Sequence, residues 1–256
     1  MTDRRLALDG MRNARDLGGL PVAGGVFPHR LVVRGETVAH LTPRGLEQLR
    51  ELGVERVLDL REAGEAAEDG VGPLAELYRR GEVAHERVPL IGLERWPVDP
   101  VAPDRDPRVV AESYQRYLRH GGAALAAALA RFAWSDSAMY VHCAAGKDRT
   151  SVVCALLLKL AGAGDDAVVA DHVASADAVR DVVARLGSRP AYRHLAEPDW
   201  DAQMPSAEVM ALFLCGLERE GGAARWLLDR GMDPGTLDLL RRRLAAVPPR
   251  DVAIAG

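Results

Sequence analysis

The chain has 256 residues, with 33 basic against 37 acidic side chains, a net charge of −4 and 48% hydrophobic content. That is enough for one sizeable core and a single domain over residues 1–256, and the absence of basic excess argues against nucleic acid as a partner. No run approaches the roughly 18 apolar residues of a membrane span, the first nine residues contain no signal-peptide core, and an odd number of cysteines makes no disulfide framework. A cytoplasmic location is the expectation, and nothing sets an oligomeric state.

In chain order, Gly18-Gly19, Pro21 and Gly24-Gly25 punctuate an irregular start, and Arg30 to Val33 reads as a short strand. Thr42-Pro43 opens a helix with Thr42 as N-cap, Leu46, Leu49 and Leu52 as its apolar points and Gly53 as its end. Val54 to Leu60 reads as a buried strand, followed by a charged loop to about Gly72, a helix, and a strand from Val83 to Leu90. From Ile91 to Pro107 proline and charge suit no regular element. A helix from about Val109 to Ala133 is expected to break at Gly121-Gly122. A strand at Met139 to Val141 then leads into a small-residue loop and a helix. Beyond Gly164 the pattern is helical to about residue 245, and residues 248–256 read as a disordered tail. Alternating β and α runs imply an α/β fold, a mainly parallel central sheet flanked by helices with a helical C-terminal part.

The chemistry concentrates at residues 142–151, His-Cys-Ala-Ala-Gly-Lys-Asp-Arg-Thr-Ser. Backbone N–H groups of Ala144, Ala145, Gly146, Lys147, Asp148 and Arg149 would form an anion-binding nest, and the following helix adds positive potential. Arg149 can offer a planar two-donor fork to phosphate oxygens. The same environment favours a Cys143 thiolate facing phosphorus, and Thr150 could donate to that thiolate. Cys154 and Cys215 lie in apolar helical runs and read as packing residues. No Cys/His spacing resembles a zinc site, and the chemistry needs neither metal nor cofactor.

This signature resembles that of the protein tyrosine phosphatase superfamily. Its Lys147-Asp148 pair is similar to the bacterial tyrosine/serine, or dual protein–lipid, phosphatase branch. Asn13-Ala-Arg-Asp-Leu-Gly-Gly19, Arg30-Leu-Val-Val-Arg-Gly-Glu36, Val57-Leu-Asp-Leu-Arg-Glu62, Asp171-His172 and Trp226-Leu-Leu-Asp-Arg-Gly231 fit the same pattern. Ser151 departs from it, since the branch usually has glycine there. The resemblance implies a cysteine-dependent phosphomonoesterase acting on a phosphorylated protein or a phosphoinositide through a phosphocysteine intermediate. It also implies that Arg15, Asp16 and Arg34 brace the loop or flank the pocket, and that the C-terminal helices cover the site; the residues alone leave open that Arg15-Asp16 is a structural turn pair, Arg34 a rim cation and the C-terminal helices core.

Departure of an alkoxide or phenoxide needs a proton. Asp148, inside the loop and implicated by the resemblance, is the first candidate. Asp59, ending a buried strand, is the second, with a tie to Arg61 as its structural alternative. Asp99, Asp104 and Asp106 lie where an acid-bearing lid could fall or simply form a solvated charge run. Lys147 either adds charge for a substrate carrying more than one phosphate or points to solvent. The ring of His142 is expected to hydrogen-bond the loop, and His172 to be a packing residue. A rhodanese-like sulfurtransferase and a non-hydrolytic phosphate-binding adaptor are the alternatives to hydrolysis.

Overall fold

The computed structural model describes residues 4–91 and 106–248. In chain order these form β1 (Arg15–Asp16), β2 (Pro21–Val22), β3 (Gly25–Val26), β4 (Val32–Gly35), α1 (Pro43–Glu51), β5 (Val54–Asp59), α2 (Ala63–Asp69), α3 (Leu74–Arg80) and β6 (Ala84–Arg87). There follow α4 (Pro107–Ala133), β7 (Ala138–His142), α5 (Asp148–Leu160), α6 (Asp165–Val173), α7 (Ala176–Gly187), α8 (Trp200–Gln203), α9 (Ala207–Arg219), α10 (Gly222–Leu228) and α11 (Pro234–Arg243).

The central sheet runs β1-β4-β7-β5-β6, parallel throughout except for the antiparallel edge strand β1. A parallel sheet is covered on both faces, and β7 shows how the sequence does this. Ala138 and Tyr140 enter a core shared with Leu49 of α1 and Leu74 and Leu77 of α3. Met139 and Val141, on the opposite face, enter the larger core built by α4, α5 and α9. This is the two-residue period of a strand with both faces apolar. Helix α5 is buried continuously from Arg149 to Leu158, as expected of a helix apolar on all sides. Parallel β4, β7 and β5 therefore end along one sheet edge, and the loop from Cys143 to Lys147 lies there, where open α/β sheets place their ligands.

Several expectations hold in detail. Thr42 caps α1, its hydroxyl accepting from the Gly45 N–H at 3.1 Å, and Gly53 follows it at φ +78°. Helix α4 kinks at Gly122, where φ is +29°. Others need correction. The strand expected over Arg30–Val33 is instead Val32–Gly35, because Arg30 sits at φ +57° in a turn, its N–H held by Asp16 at 2.8 Å. The strand expected over Val83–Leu90 spans only Ala84–Arg87. The charged stretch after Arg61 is not a loop but helix α2. Cys215 is exposed rather than packed, whereas Cys154 is buried: Phe213, Leu214 and Leu217 turn the buried side of α9 inward and leave Cys215 off it. Asp99, Asp104 and residues 249–256 lie outside the described residues, while Asp106 caps α4 by accepting from the Arg108 N–H at 2.9 Å.

Candidate active site

Cys143 follows the last residue of β7, and α5 begins at Asp148, so Arg149 and Thr150 occupy the first turn of that helix. The turn between depends on Gly146, at φ +70°. A Cβ there would lie 2.2 Å from the Gly35 carbonyl carbon and 2.5 Å from the Glu36 nitrogen, so only glycine lets the loop close onto the end of β4. Among the described residues, the N–H groups of Ala144, Ala145, Gly146 and Lys147 donate to no other backbone carbonyl. That leaves them for an anion at a helix N-terminus.

The loop is braced from outside. Asn13 donates to the Ala145 carbonyl at 2.9 Å. Arg34, wholly buried, donates to the Gly146 carbonyl at 2.7 Å, to the Ser151 hydroxyl at 2.8 Å and to Asp171 at 2.5 Å. It therefore acts beneath the loop and does not line the cavity, which the resemblance left open. Asp171 also takes Arg15 at 3.1 Å and Arg4 at 2.8 Å. Burial alone would raise its pKa, but three guanidinium groups hold it well below the usual carboxylate range. Ser151, the departure from the resemblance, is integrated: its oxygen accepts from Arg34, and its proton is left for His172 Nδ1 at 2.9 Å. Asp16 accepts from the N–H groups of Gly18 and Arg30 and closes a turn.

His142 is fully buried, which pushes its pKa down to about 4. Neutral, it donates from Nδ1 to the Cys143 carbonyl at 3.0 Å. Asp59, also fully buried, is committed elsewhere: it forks to Arg61 at 2.9 and 2.7 Å and accepts the Arg61 N–H at 3.0 Å. This is the structural alternative foreseen for it. The Thr150 hydroxyl is fully buried and has no hydrogen-bond partner among the described residues.

Cys143, Ala144, Ala145, Lys147, Asp148 and Arg149 line one cavity of about 160 Å³. Its walls include Tyr117 from α4, Val183 and Leu186 from α7, and Tyr192. Arg149 is held by Glu65 of α2 in a two-bond fork of 2.6 and 2.8 Å. Burial would lower the guanidinium pKa, but this carboxylate raises it well above its ordinary value. Glu65 is itself oriented by the Glu62 N–H at 2.7 Å. Lys147 does not reach solvent: its ammonium donates to the Gln203 carbonyl at 2.5 Å and lies 3.4 Å from Asp148. Tyr114 of α4 donates to Asp148 Oδ1 at 2.5 Å. For Asp148, burial favours the neutral acid, yet Lys147, Tyr114 and His172 together hold its pKa below the usual value. Helix α7 covers the loop through a small apolar cluster of Ala144, Val182, Leu186 and Tyr192. Arg185 pairs with Glu36, and Arg189 with Asp69.

The sequence reading missed Glu65, Tyr114 and Tyr192. For Glu65 a signal existed, the Glu62-x-x-Glu65 spacing of a helix start. The tyrosines carried none, because a helix pattern does not say what a ring will touch. Among the described residues no group of His, Cys, Asp and Glu is arranged to hold a metal ion, and no helix is long and apolar enough to cross a membrane.

Comparison with known proteins gives a match to the tyrosine phosphatase family over residues 6–246. The chain is 31% identical over 151 residues to a tyrosine-protein phosphatase of Nostoc commune, covering 59% of this chain and 50% of the relative. It therefore spans half the length of that relative. It is also 30% identical over 207 residues to the triple specificity protein phosphatase PtpB of Mycobacterium tuberculosis, covering 70% of this chain and 72% of the relative.

Proposed function

The chain belongs to the tyrosine phosphatase family, and from that premise we propose that it is a phosphomonoesterase acting through a phosphocysteine intermediate. The observation that carries this reading is the convergence of Cys143, Asp148 and Arg149 on one cavity at the N-terminus of α5. In the first step the Cys143 thiolate forms the S–P bond as the P–O bond to the leaving group breaks, and Asp148 gives that oxygen its proton. Arg149 and the loop N–H groups bind the equatorial phosphoryl oxygens, where charge is spread in the transition state. In the second step water adds to phosphorus, the S–P bond breaks, and the water's proton returns to Asp148. The Thr150 hydroxyl, buried and without a partner among the described residues, stabilises the departing thiolate.

The substrate class is a phosphorylated protein, with phosphotyrosine first. The walls supplied by Tyr117, Tyr192, Val183 and Leu186 suit a phenyl ring standing above the loop, and the name of the mycobacterial relative supports relaxed specificity. A phosphoinositide is the second reading, favoured by Lys147 as a further cation on the cavity wall; phosphoinositide turnover unaffected by Lys147→Ala would remove it. The test of the main reading is hydrolysis of p-nitrophenyl phosphate without added metal. Vanadate-sensitive turnover that vanishes in Cys143→Ser is the expected result. Phosphate binding without turnover in the reduced protein would favour the adaptor, and cyanide-dependent thiocyanate formation the sulfurtransferase.

A further inference from the structure

We propose that Tyr114 is the positioning residue for Asp148, its hydroxyl clamping Oδ1 so that Oδ2 is the oxygen that carries the transferred proton. The proposal rests on the reading of Asp148 as the general acid. Helix α4 delivers Tyr114 from a site 34 residues before Asp148, and the hydroxyl donates to Oδ1 at 2.5 Å. Oδ2 faces Lys147 at 3.4 Å. A carboxyl on an otherwise third-exposed side chain gains a fixed orientation only if its clamp is itself fixed, and this one is. Tyr114 is only 3% exposed and is walled on three sides: Tyr117 stacks at 5.8 Å, while Phe213 of α9 and His172 of α6 meet it edge-on at 6.0 Å.

This arrangement has a chemical consequence. A donor on Oδ1 stabilises the carboxylate, so it lowers the basicity of Asp148 while aiming it. The other ionisable groups around the carboxyl are Lys147, Arg149 and Cys143 from the loop and α5, Tyr117 from α4, and His172 from α6. Burial pushes the His172 pKa down to about 4, so it bears a charge beside Asp148 only in acid, where it adds to Lys147 in favouring the carboxylate. Tyr114 stays protonated, since burial and Asp148 raise its pKa well above normal. It is therefore a permanent donor rather than a second acid. Because it reaches Asp148 from another helix, its removal should alter proton transfer without altering phosphate binding by the loop and Arg149.

The test compares wild type, Tyr114→Phe, Asp148→Asn and the double variant on a series of aryl phosphates running from p-nitrophenyl to phenyl. Leaving groups of rising pKa need the proton increasingly. In Tyr114→Phe, kcat/KM should fall about tenfold for phenyl phosphate but less than about twofold for p-nitrophenyl phosphate. The alkaline limb of kcat for phenyl phosphate should move up by about one pH unit, as expected when a hydrogen bond to a charged group is lost. The double variant should match Asp148→Asn. Site-specific 3-fluorotyrosine at position 114, a stronger donor of nearly the same size, should move the limb down, which covers the case of a poorly folded phenylalanine variant. Equal losses on every substrate, an unmoved limb, or a double variant worse than Asp148→Asn would overturn the proposal. If Asp148→Asn itself leaves the dependence on leaving group unchanged, the general-acid reading fails first and takes the clamp with it.

Discussion

Arg149 reaches the cavity with one carboxylate, Glu65, setting the plane of its guanidinium. Losing the fork leaves the charge in place but not its aim, and misplacement of about 1 Å can cost on the order of 100-fold. Glu65→Gln should therefore lower kcat/KM for p-nitrophenyl phosphate by about 10- to 100-fold, measured by steady-state kinetics; wild-type kinetics would show that the loop orients Arg149 unaided. Asp148 gives a pH prediction whose sign follows from its environment. Its pKa is held below the ordinary carboxylate value, so the resting carboxyl is ionised at neutral pH and the proton is available only in acid. Turnover of phenyl phosphate should decline as pH rises toward neutrality, and Asp148→Asn should flatten that decline. Cys143 and Arg149 were legible because both lie within one short run of chain. Glu65 and Tyr114 were not, because they reach their partners from 84 and 34 residues away.

Helix α2 shows what hid an element. Its sequence, Ala63-Gly64-Glu65-Ala66-Ala67-Glu68-Asp69, has no apolar stripe, and only Ala66 and Asp69 are buried. It is stabilised by tertiary ion pairs, Glu65 to Arg149 and Asp69 to Arg61 and Arg189, which no local pattern reveals. By contrast β5, β7, α1 and α5 carried their periods and caps openly, and the parallel sheet followed from them. The junction of β7 with α5 depends on close approach to β4. Gly146→Ala should abolish most turnover, because its Cβ would meet backbone at 2.2 Å and its φ is +70°. Gly164→Ala, whose Cβ meets open space at the start of α6, should leave turnover unchanged. Equal activity of the two variants would contradict the fit of the loop against β4.

Across the whole molecule, buried ionisable groups tie distant segments together, and they set how stability depends on pH. Burial pushes the pKa values of His142 and His172 down to about 4 and that of His40 to about 3. The unfolded chain takes up these protons first, near the ordinary histidine value of about 6.5, so stability should fall as pH drops below that value. Asp59 and Asp171 have folded pKa values held low; their contribution is present above about pH 4 and is lost below it. Urea unfolding at a series of pH values should show this two-part decline, and a flat profile from pH 7 to 4 would refute it. Asp171→Asn strips the buried Arg15 and Arg34 and the partly buried Arg4 of their shared partner and should cost about 3–5 kcal/mol. Asn13 and Arg15 could be read as braces only through resemblance, since their partners Ala145 and Asp171 lie more than a hundred residues away in the chain, whereas Asp16, for which the same role was expected, closes a local turn instead. In the proposed mechanism, what those braces serve is a thiolate that becomes phosphorylated in each cycle. The most direct measurement is rapid denaturing quench during p-nitrophenyl phosphate turnover, followed by mass spectrometry of the peptide containing Cys143. A phosphoryl group on Cys143, absent from Cys143→Ser, is the predicted result; turnover with that cysteine unmodified at every quench time, or a phosphoryl group on another residue, would contradict it.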